Sequence, residues 1–146
     1  MKIAIGCDHA GPVLKADVLE YFDEKGIEYK DFGVNEGEKV DYPDKAEEVC
    51  REVAAGKFDF GILICGTGVG MSMSANKIKG IRAACVSDYF SAKYTRAHND
   101  ANVLCFGARV VGPGLATELV DVFLNTPFEG GRHTPRVEKM MALENK

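Results

Sequence analysis

Phe58-Asp-Phe-Gly-Ile-Leu-Ile-Cys65-Gly-Thr-Gly-Val-Gly-Met-Ser-Met-Ser-Ala-Asn76 is the stretch from which the fold can be read. Residues 60–65 form an apolar run too short for a helix and followed at once by glycines, which predicts a strand buried on both faces of a parallel sheet. Gly66, Gly68 and Gly70 let the backbone turn sharply, and residues from about 70 to 78 can start a helix. A strand, a glycine turn and a helix N-terminus make an anion site, because unpaired amides and the positive end of the helix dipole point the same way. Cys65 stands at its mouth. A thiol in such a place, ordinarily with a pKa of about 8.5, is drawn toward neutrality and can serve as base or nucleophile. A small buried hydrophobe at a strand end is the other use of the same residue. The turn itself is neither G-x-G-x-x-G nor a Walker A loop, which would end in Gly-Lys-Ser/Thr.

The flanking sequence repeats the strand-then-helix alternation. Residues 2–6 read as a first strand, and Pro12 opens an amphipathic helix through Tyr21 and Phe22 that Gly26 closes. Residues 27–32 are a more polar strand suited to a sheet edge. A charged loop, 33–42, leads to Pro43 and a helix with Ala46, Val49, Cys50 and Val53 at helical spacing, ended by Gly56. Its Asp44, Glu47 and Glu48 fit a solvated face. Residues 82–87 and 102–106 are two further strands, separated by a short helix over 89–98. Pro113 opens a long helix with Leu115, Leu119, Val122 and Phe123 as its core stripe. After a loop, 128–133, Thr134 is placed to cap and Pro135 to begin a last helix with Val137, Met140, Met141 and Leu143 along an apolar face.

Five strands alternating with helices predict a three-layer α/β/α sandwich, Rossmann-like, around a five-stranded parallel sheet. The 146 residues, 46% hydrophobic, read as a single domain over 1–146. If the first strands lie in the order 2-1-3, ligands bind outside the carboxyl ends of strands 1 and 3. Those ends carry Asp8-His9-Ala10-Gly11 and Cys65-Gly66-Thr67-Gly68, and the next two ends bring Asp88 and Gly107-Ala108-Arg109. The reactive residues are thus expected on one rim. With 18 basic against 22 acidic residues the net charge of −4 argues against a nucleic-acid surface and against anionic membranes. Nothing signals secretion or membrane insertion. Five cysteines without a C-x-x-C pair suit a reducing cytoplasm.

An amide cradle beside a thiol, with His9, His98, Arg109, Arg132 and Arg136, suits a small phosphorylated substrate whose reaction passes through an oxyanion, such as proton abstraction next to a carbonyl. Arg132 and Arg136 flank the start of the last helix, where the dipole disfavours cations unless an anion lies between them. Solvated surface charge is the alternative. His98 can equally cap the end of its helix. His133 carries the weakest functional signal of the three histidines.

Asp8-His9-Ala10-Gly11, Cys65-Gly66-Thr67-Gly68-Val69-Gly70, the run His98-Asn99-Asp100-Ala101-Asn102-Val103-Leu104, Gly107-Ala108-Arg109-Val110-Val111-Gly112 and Gly130-Gly131-Arg132-His133 with Arg136 together resemble the family of B-type ribose-5-phosphate isomerases, which also contains galactose-6-phosphate isomerase subunits. The resemblance runs from Ile3 to about Val137. It implies an aldose-ketose isomerase of ribose 5-phosphate and ribulose 5-phosphate acting through a cis-enediolate, with hexose phosphates as alternative substrates. It implies Cys65 as the base, His98 as the ring-opening acid and Thr67 as a hydroxyl-proton carrier. Gly66, Thr67, Gly68, Val69, Gly70 and Asn99 would stabilise the enediolate. Asp8 and His9 would contact the sugar, and Arg109, Arg132 and Arg136 would clamp the phosphate. The resemblance further implies homodimers or dimers of dimers with interfacial sites, and neither metal nor cofactor. Relatives that use a glutamate as base differ from this chain, which has Cys65.

A nucleotide- or flavin-binding module needs a glycine-rich turn after strand 1, and Gly6-Cys7-Asp8-His9-Ala10-Gly11 lacks the middle glycine, although Asp31 could serve as the ribose-binding acid. A zinc hydrolase built from Cys7, His9, Cys65 and His98 has no H-E-x-x-H or C-x-x-C spacing behind it.

Overall fold

Apart from Lys2, the runs 2–7, 60–65 and 103–107 are apolar from end to end, so both sheet faces must be covered. A computed structural model, describing Met1–Lys146, shows how. Strands β1 (Lys2–Cys7), β2 (Glu28–Asp31), β3 (Phe60–Cys65), β4 (Ala83–Cys85) and β5 (Val103–Gly107) form one parallel sheet in the order β2-β1-β3-β5-β4. Strands β3 and β5, apolar throughout, and β1, apolar after Lys2, occupy the centre, and the short β2 and β4 form the edges. The helices are α1 (Pro12–Lys25), α2 (Tyr42–Ala54), α3 (Val69–Ala75), α4 (Tyr89–Ala97), α5 (Pro113–Asn125) and α6 (Thr134–Ala142).

The two-residue strand period divides the core in two. Ile3, Ile5, Ile62, Ile64, Leu104 and Phe106 pack under α1, α4 and α5 through Leu14, Val18, Phe22, Ala92, Leu119 and Phe123. Ala4, Leu63, Cys65, Val103 and Cys105 face α2 and α3 through Val49, Cys50, Val53, Met71 and Ala75. Each fully buried Ile or Leu of these layers contributes roughly 1.5–3 kcal/mol over an exposed one. No helix is long and apolar enough to cross a membrane.

Four local expectations need correction. Helix α3 ends at Ala75 rather than 78, because the Asn76 amide donates to Ser72 O at 3.0 Å and to Ala83 O at 2.8 Å and accepts from Ala83 N at 2.9 Å, turning the chain into β4. Strand β4 is limited to Ala83–Cys85, since Arg82 spends its polar atoms on Asp100 and Asn102 instead of a ladder. Thr134 does not cap α6. A 3₁₀ turn, Gly131–His133, leads straight into the helix, and Thr134 is itself helical (φ −50°, ψ −57°), whereas a capping residue needs an extended backbone. Finally, Leu143 lies beyond the end of α6 in a 3₁₀ turn, 62% exposed, and α6 buries no residue, its apolar face looking onto solvent and a cleft.

Candidate active site

Two clusters of polar residues form, at opposite ends of the sheet. The first lies at the carboxyl ends of β1, β3 and β5. The end of β3 is zipped to that of β5 by Ala108 N donating to Cys65 O at 2.8 Å and Arg109 N donating to Gly66 O at 3.0 Å. Gly68 then takes a left-handed conformation (φ +82°) with its Cα against Phe106; a Cβ there would stand 2.8 Å from Phe106 backbone atoms, so only glycine fits. That turn aims the Gly68 amide at Cys65 Sγ, 3.1 Å away. Cys65 is buried (4% exposed), beneath an exposed Thr67 whose Oγ1 accepts from Val69 N at 3.3 Å. The exposed Arg109 reaches back over Gly66, its Nη1 3.4 Å from where a Gly66 Cβ would be.

On the β1 side, Asp8 is buried and its Oδ1 accepts from Ala10 N at 2.8 Å, fixing the 8–11 turn. The exposed His9 places Nδ1 3.4 Å from Val40 O. Tyr42, in a stretch the sequence reading treated only as a charged loop, lays its ring against Gly70; a Cβ at Gly70 would stand 2.8 Å from Cε2. The Asp41-Tyr42-Pro43 run carried no chemical signal that could have flagged it.

Desolvation favours the protonated form of the other four thiols. Burial pushes Cys50 up to about 12 and Cys105 well above the ordinary range, and it raises Cys7. Cys85 is raised by burial and then by the nearby Cys65. All five cysteines are free.

The second cluster lies at the amino ends of the strands. Helix α4 runs antiparallel to the sheet, so its C-cap, His98, leads into the start of β5 rather than to the rim bearing Cys65. The expected single rim is therefore wrong for His98, Asn99, Arg132 and Arg136, because a helix that follows a parallel strand returns its own C-terminus to the far edge. Five residues of β5, roughly 16 Å at about 3.3 Å each, separate the two clusters. A cleft of about 270 Å³ is lined here by His98, Asn99, His133, Arg136, Val137 and Met140.

His133, the histidine with the weakest sequence signal, is the buried centre of this cluster. Its ring stacks on His98 with centroids 4.1 Å apart and planes at 10°, and His98 in turn meets Tyr94 at 4.7 Å. Both histidine Nε2 atoms stand 3.6 Å from Glu129 Oε2. Burial lowers the His133 pKa, and the nearby His98 ring and the Arg132 and Arg136 guanidiniums lower it further against the opposing pull of Glu129.

His98, Glu129 and His133 bring potential metal ligands within 4.8 Å of one another. Stacked rings keep their in-plane lone pairs parallel rather than convergent, and Arg132 Nε stands 3.5 Å from His133 Nε2. Exposed Arg132 and Arg136 add two fixed positive charges. The arrangement suits an anion better than a dication.

A family model described as Ribose/Galactose Isomerase matches residues 3–140. Ribose-5-phosphate isomerase B of Escherichia coli is 51% identical over 145 residues, covering 99% of this chain and 97% of that protein. A D-erythrulose-4-phosphate isomerase of Pectobacterium atrosepticum is 43% identical over 147 residues, covering 100% and 97%. A solved structure of ribose-5-phosphate isomerase B from Clostridium thermocellum aligns with a TM-score of 0.96 at 48% identity, covering 99% of this chain and 98% of that one.

Proposed function

The chain belongs to the ribose/galactose isomerase family, and from that membership we propose that residues 1–146 act as one sugar-phosphate isomerase domain interconverting ribose 5-phosphate and ribulose 5-phosphate. His98 gives a proton to the ring oxygen as the C1–O4 bond breaks and the anomeric hydroxyl loses its own. The Cys65 thiolate then takes the proton from C2 of the open aldose. Negative charge grows on the carbonyl oxygen, where the amides of Gly66, Thr67, Gly68, Val69 and Gly70, with the Asn99 side chain, receive it. Thr67 passes a proton between the two oxygens, and Cys65 returns the carbon proton at C1. One preformed donor at such an oxyanion is worth about 3 kcal/mol of barrier, so a backbone cradle serves without a metal.

The observation that carries this reading is the division of the machinery between the two ends of the sheet. Cys65, its amide cradle, Asp8, His9 and Arg109 form one half, and His98, Asn99, Arg132, His133 and Arg136 the other, about a strand length apart. A complete site then needs a second copy, turned so that the amino-end cluster of one chain meets the thiol of the next. A symmetric homodimer makes two such sites at once. The solvent-facing apolar residues of α6, with exposed Val69, Met73 and Phe90, supply surface for that contact. Phosphate is gripped by Arg132 and Arg136 of one copy, beside Arg109 and His9 of the other.

The D-erythrulose-4-phosphate isomerase among the relatives favours a second reading, in which a shorter or longer sugar phosphate is preferred. Galactose 6-phosphate and allose 6-phosphate are the hexose candidates. A panel of these aldose and ketose phosphates, assayed with a chelator present and ranked by kcat/KM, tests both points. Ribose 5-phosphate leading the panel with undiminished rate is the expected result; another sugar leading, or activity lost to the chelator, would overturn the proposal.

A further inference from the structure

The turn that carries His98 and Asn99 passes through a conformation most side chains avoid. Asp100 has φ +48°, the one residue other than glycine with a positive φ in the chain. Glycine is the usual choice where a helix exits this way, so the Asp100 carboxylate must supply something glycine lacks. It is gripped from two sides: Arg96 Nη1 donates to Oδ1 at 2.7 Å and Arg82 Nη2 donates to Oδ2 at 3.2 Å. Arg82 Nε also donates to Asp100 O at 2.7 Å.

Both arginines are committed to this task by their surroundings. Arg96 is buried, with its guanidinium 4.7 Å from the Phe60 ring centroid and 5.7 Å from that of Phe123, and Nη1 makes a second bond to Ala101 O at 2.7 Å. Its Nε is buried without a hydrogen-bond partner, a destabilising arrangement that persists only if the rest of the group is held firmly. Arg82 Nη1 reaches Met141 Sδ at 3.5 Å, tying the turn to the helix that bears Arg136.

We propose that Asp100 is a positioning residue for the acid step: clamped by Arg82 and Arg96, it fixes the turn from which the His98 imidazole projects into the sugar site. This rests on the reading of His98 as ring-opening acid. Ribulose 5-phosphate has no ring to open, because the oxygen that would close a five-membered ring on C2 carries the phosphate. Exchange of its C1 proton with solvent deuterium therefore needs Cys65 but not His98.

Asp100→Asn keeps the shape and tolerates the left-handed turn while losing the charge. Its kcat on ribose 5-phosphate is expected to fall about 10- to 100-fold, as misplacing a catalytic group by about an ångström does. KM should move by less than about threefold, and C1 exchange on ribulose 5-phosphate, which still uses Asn99 on the same turn but not His98, should fall at least about threefold less than turnover does. Added to His98→Asn, it should cost no more than its effect on exchange alone, since the ring-opening part of its loss is shared with His98. Should Asp100→Asn not fold, Asp100→Gly, which keeps the backbone, carries the same expectations. Equal loss of turnover and exchange, full additivity with His98→Asn, or unchanged kcat would each overturn the proposal. If His98→Asn alone leaves ribose 5-phosphate turnover intact, the reading of His98 falls and takes this inference with it, whereas failure of the unaltered protein on ribose 5-phosphate sinks the choice of substrate.

Discussion

The thiol end and the imidazole end of this molecule are built by different means. At the thiol end, backbone does most of the shaping: a left-handed Gly68 pressed on Phe106, its amide aimed at the Cys65 sulfur, and a strand end zipped to its neighbour. Such a surface is fixed by the core beneath it and cannot adapt much. At the imidazole end, side chains do the work on a helix cap and a helix that buries nothing, held by stacking and by ion pairs. On the proposed mechanism the rigid half would handle the carbon proton, where small displacements are most costly, and the half built from long side chains a flexible phosphate and a ring oxygen.

The sharpest break between the two comes from removing the sulfur. Cys65→Ala should abolish both sugar turnover and deuterium exchange, by about 10³-fold or more, since the proton transfer itself is lost. Undiminished exchange in that variant, measured by NMR in heavy water, would take Cys65 out of its role. At the other end the effect belongs in binding. Arg136→Ala should raise KM for the sugar phosphate roughly 10- to 100-fold, the worth of a lost charged hydrogen bond, with kcat changed far less. A fall in kcat at constant KM would show that the guanidinium acts on the reaction rather than on the phosphate.

A smaller effect concerns stability. The folded protein holds the buried His133 below its ordinary value of 6.5, so the unfolded chain binds a proton that the folded chain refuses. Stability contributed by the neutral imidazole is present above about 6.5 and is lost as pH falls toward the lowered folded value. In His133→Gln, thermal midpoints followed between about pH 7 and 5 should decline less steeply than in the unaltered protein. Equal slopes would show that burial of this imidazole does not govern the acid side.

Much of this was legible in the chain itself. The run 60–65 and its glycines gave the central strand and turn, and each proline-opened helix begins within a residue of where it was expected. The polar edge character of β2 was visible in its lysines and aspartates. Where the reading went wrong, the deciding contacts are long-range or three-dimensional. No local pattern says that Asn76 will bridge to Ala83, or that Arg82 and Arg96 will converge on Asp100. The same limit explains why the sequence alone points His98 to the wrong rim. Its sequence neighbours give it a helix end, and only the antiparallel return of that helix puts it a strand length from Cys65. His133 carries little signal in Gly-Gly-Arg-His because its burial and its stacking on His98 are set by contacts that no local pattern shows.

The central claim is that neither end suffices and that one site takes its thiol and its imidazole from different chains. Co-expression of Cys65→Ala and His98→Ala subunits under separate tags, followed by assay of the mixed population, tests it directly. Random pairing makes half the dimers hybrid, each with one intact site, so about a quarter of the unaltered activity should return. A mixture no more active than the sum of its two inactive parents would place Cys65 and His98 of each site on the same chain and contradict the account.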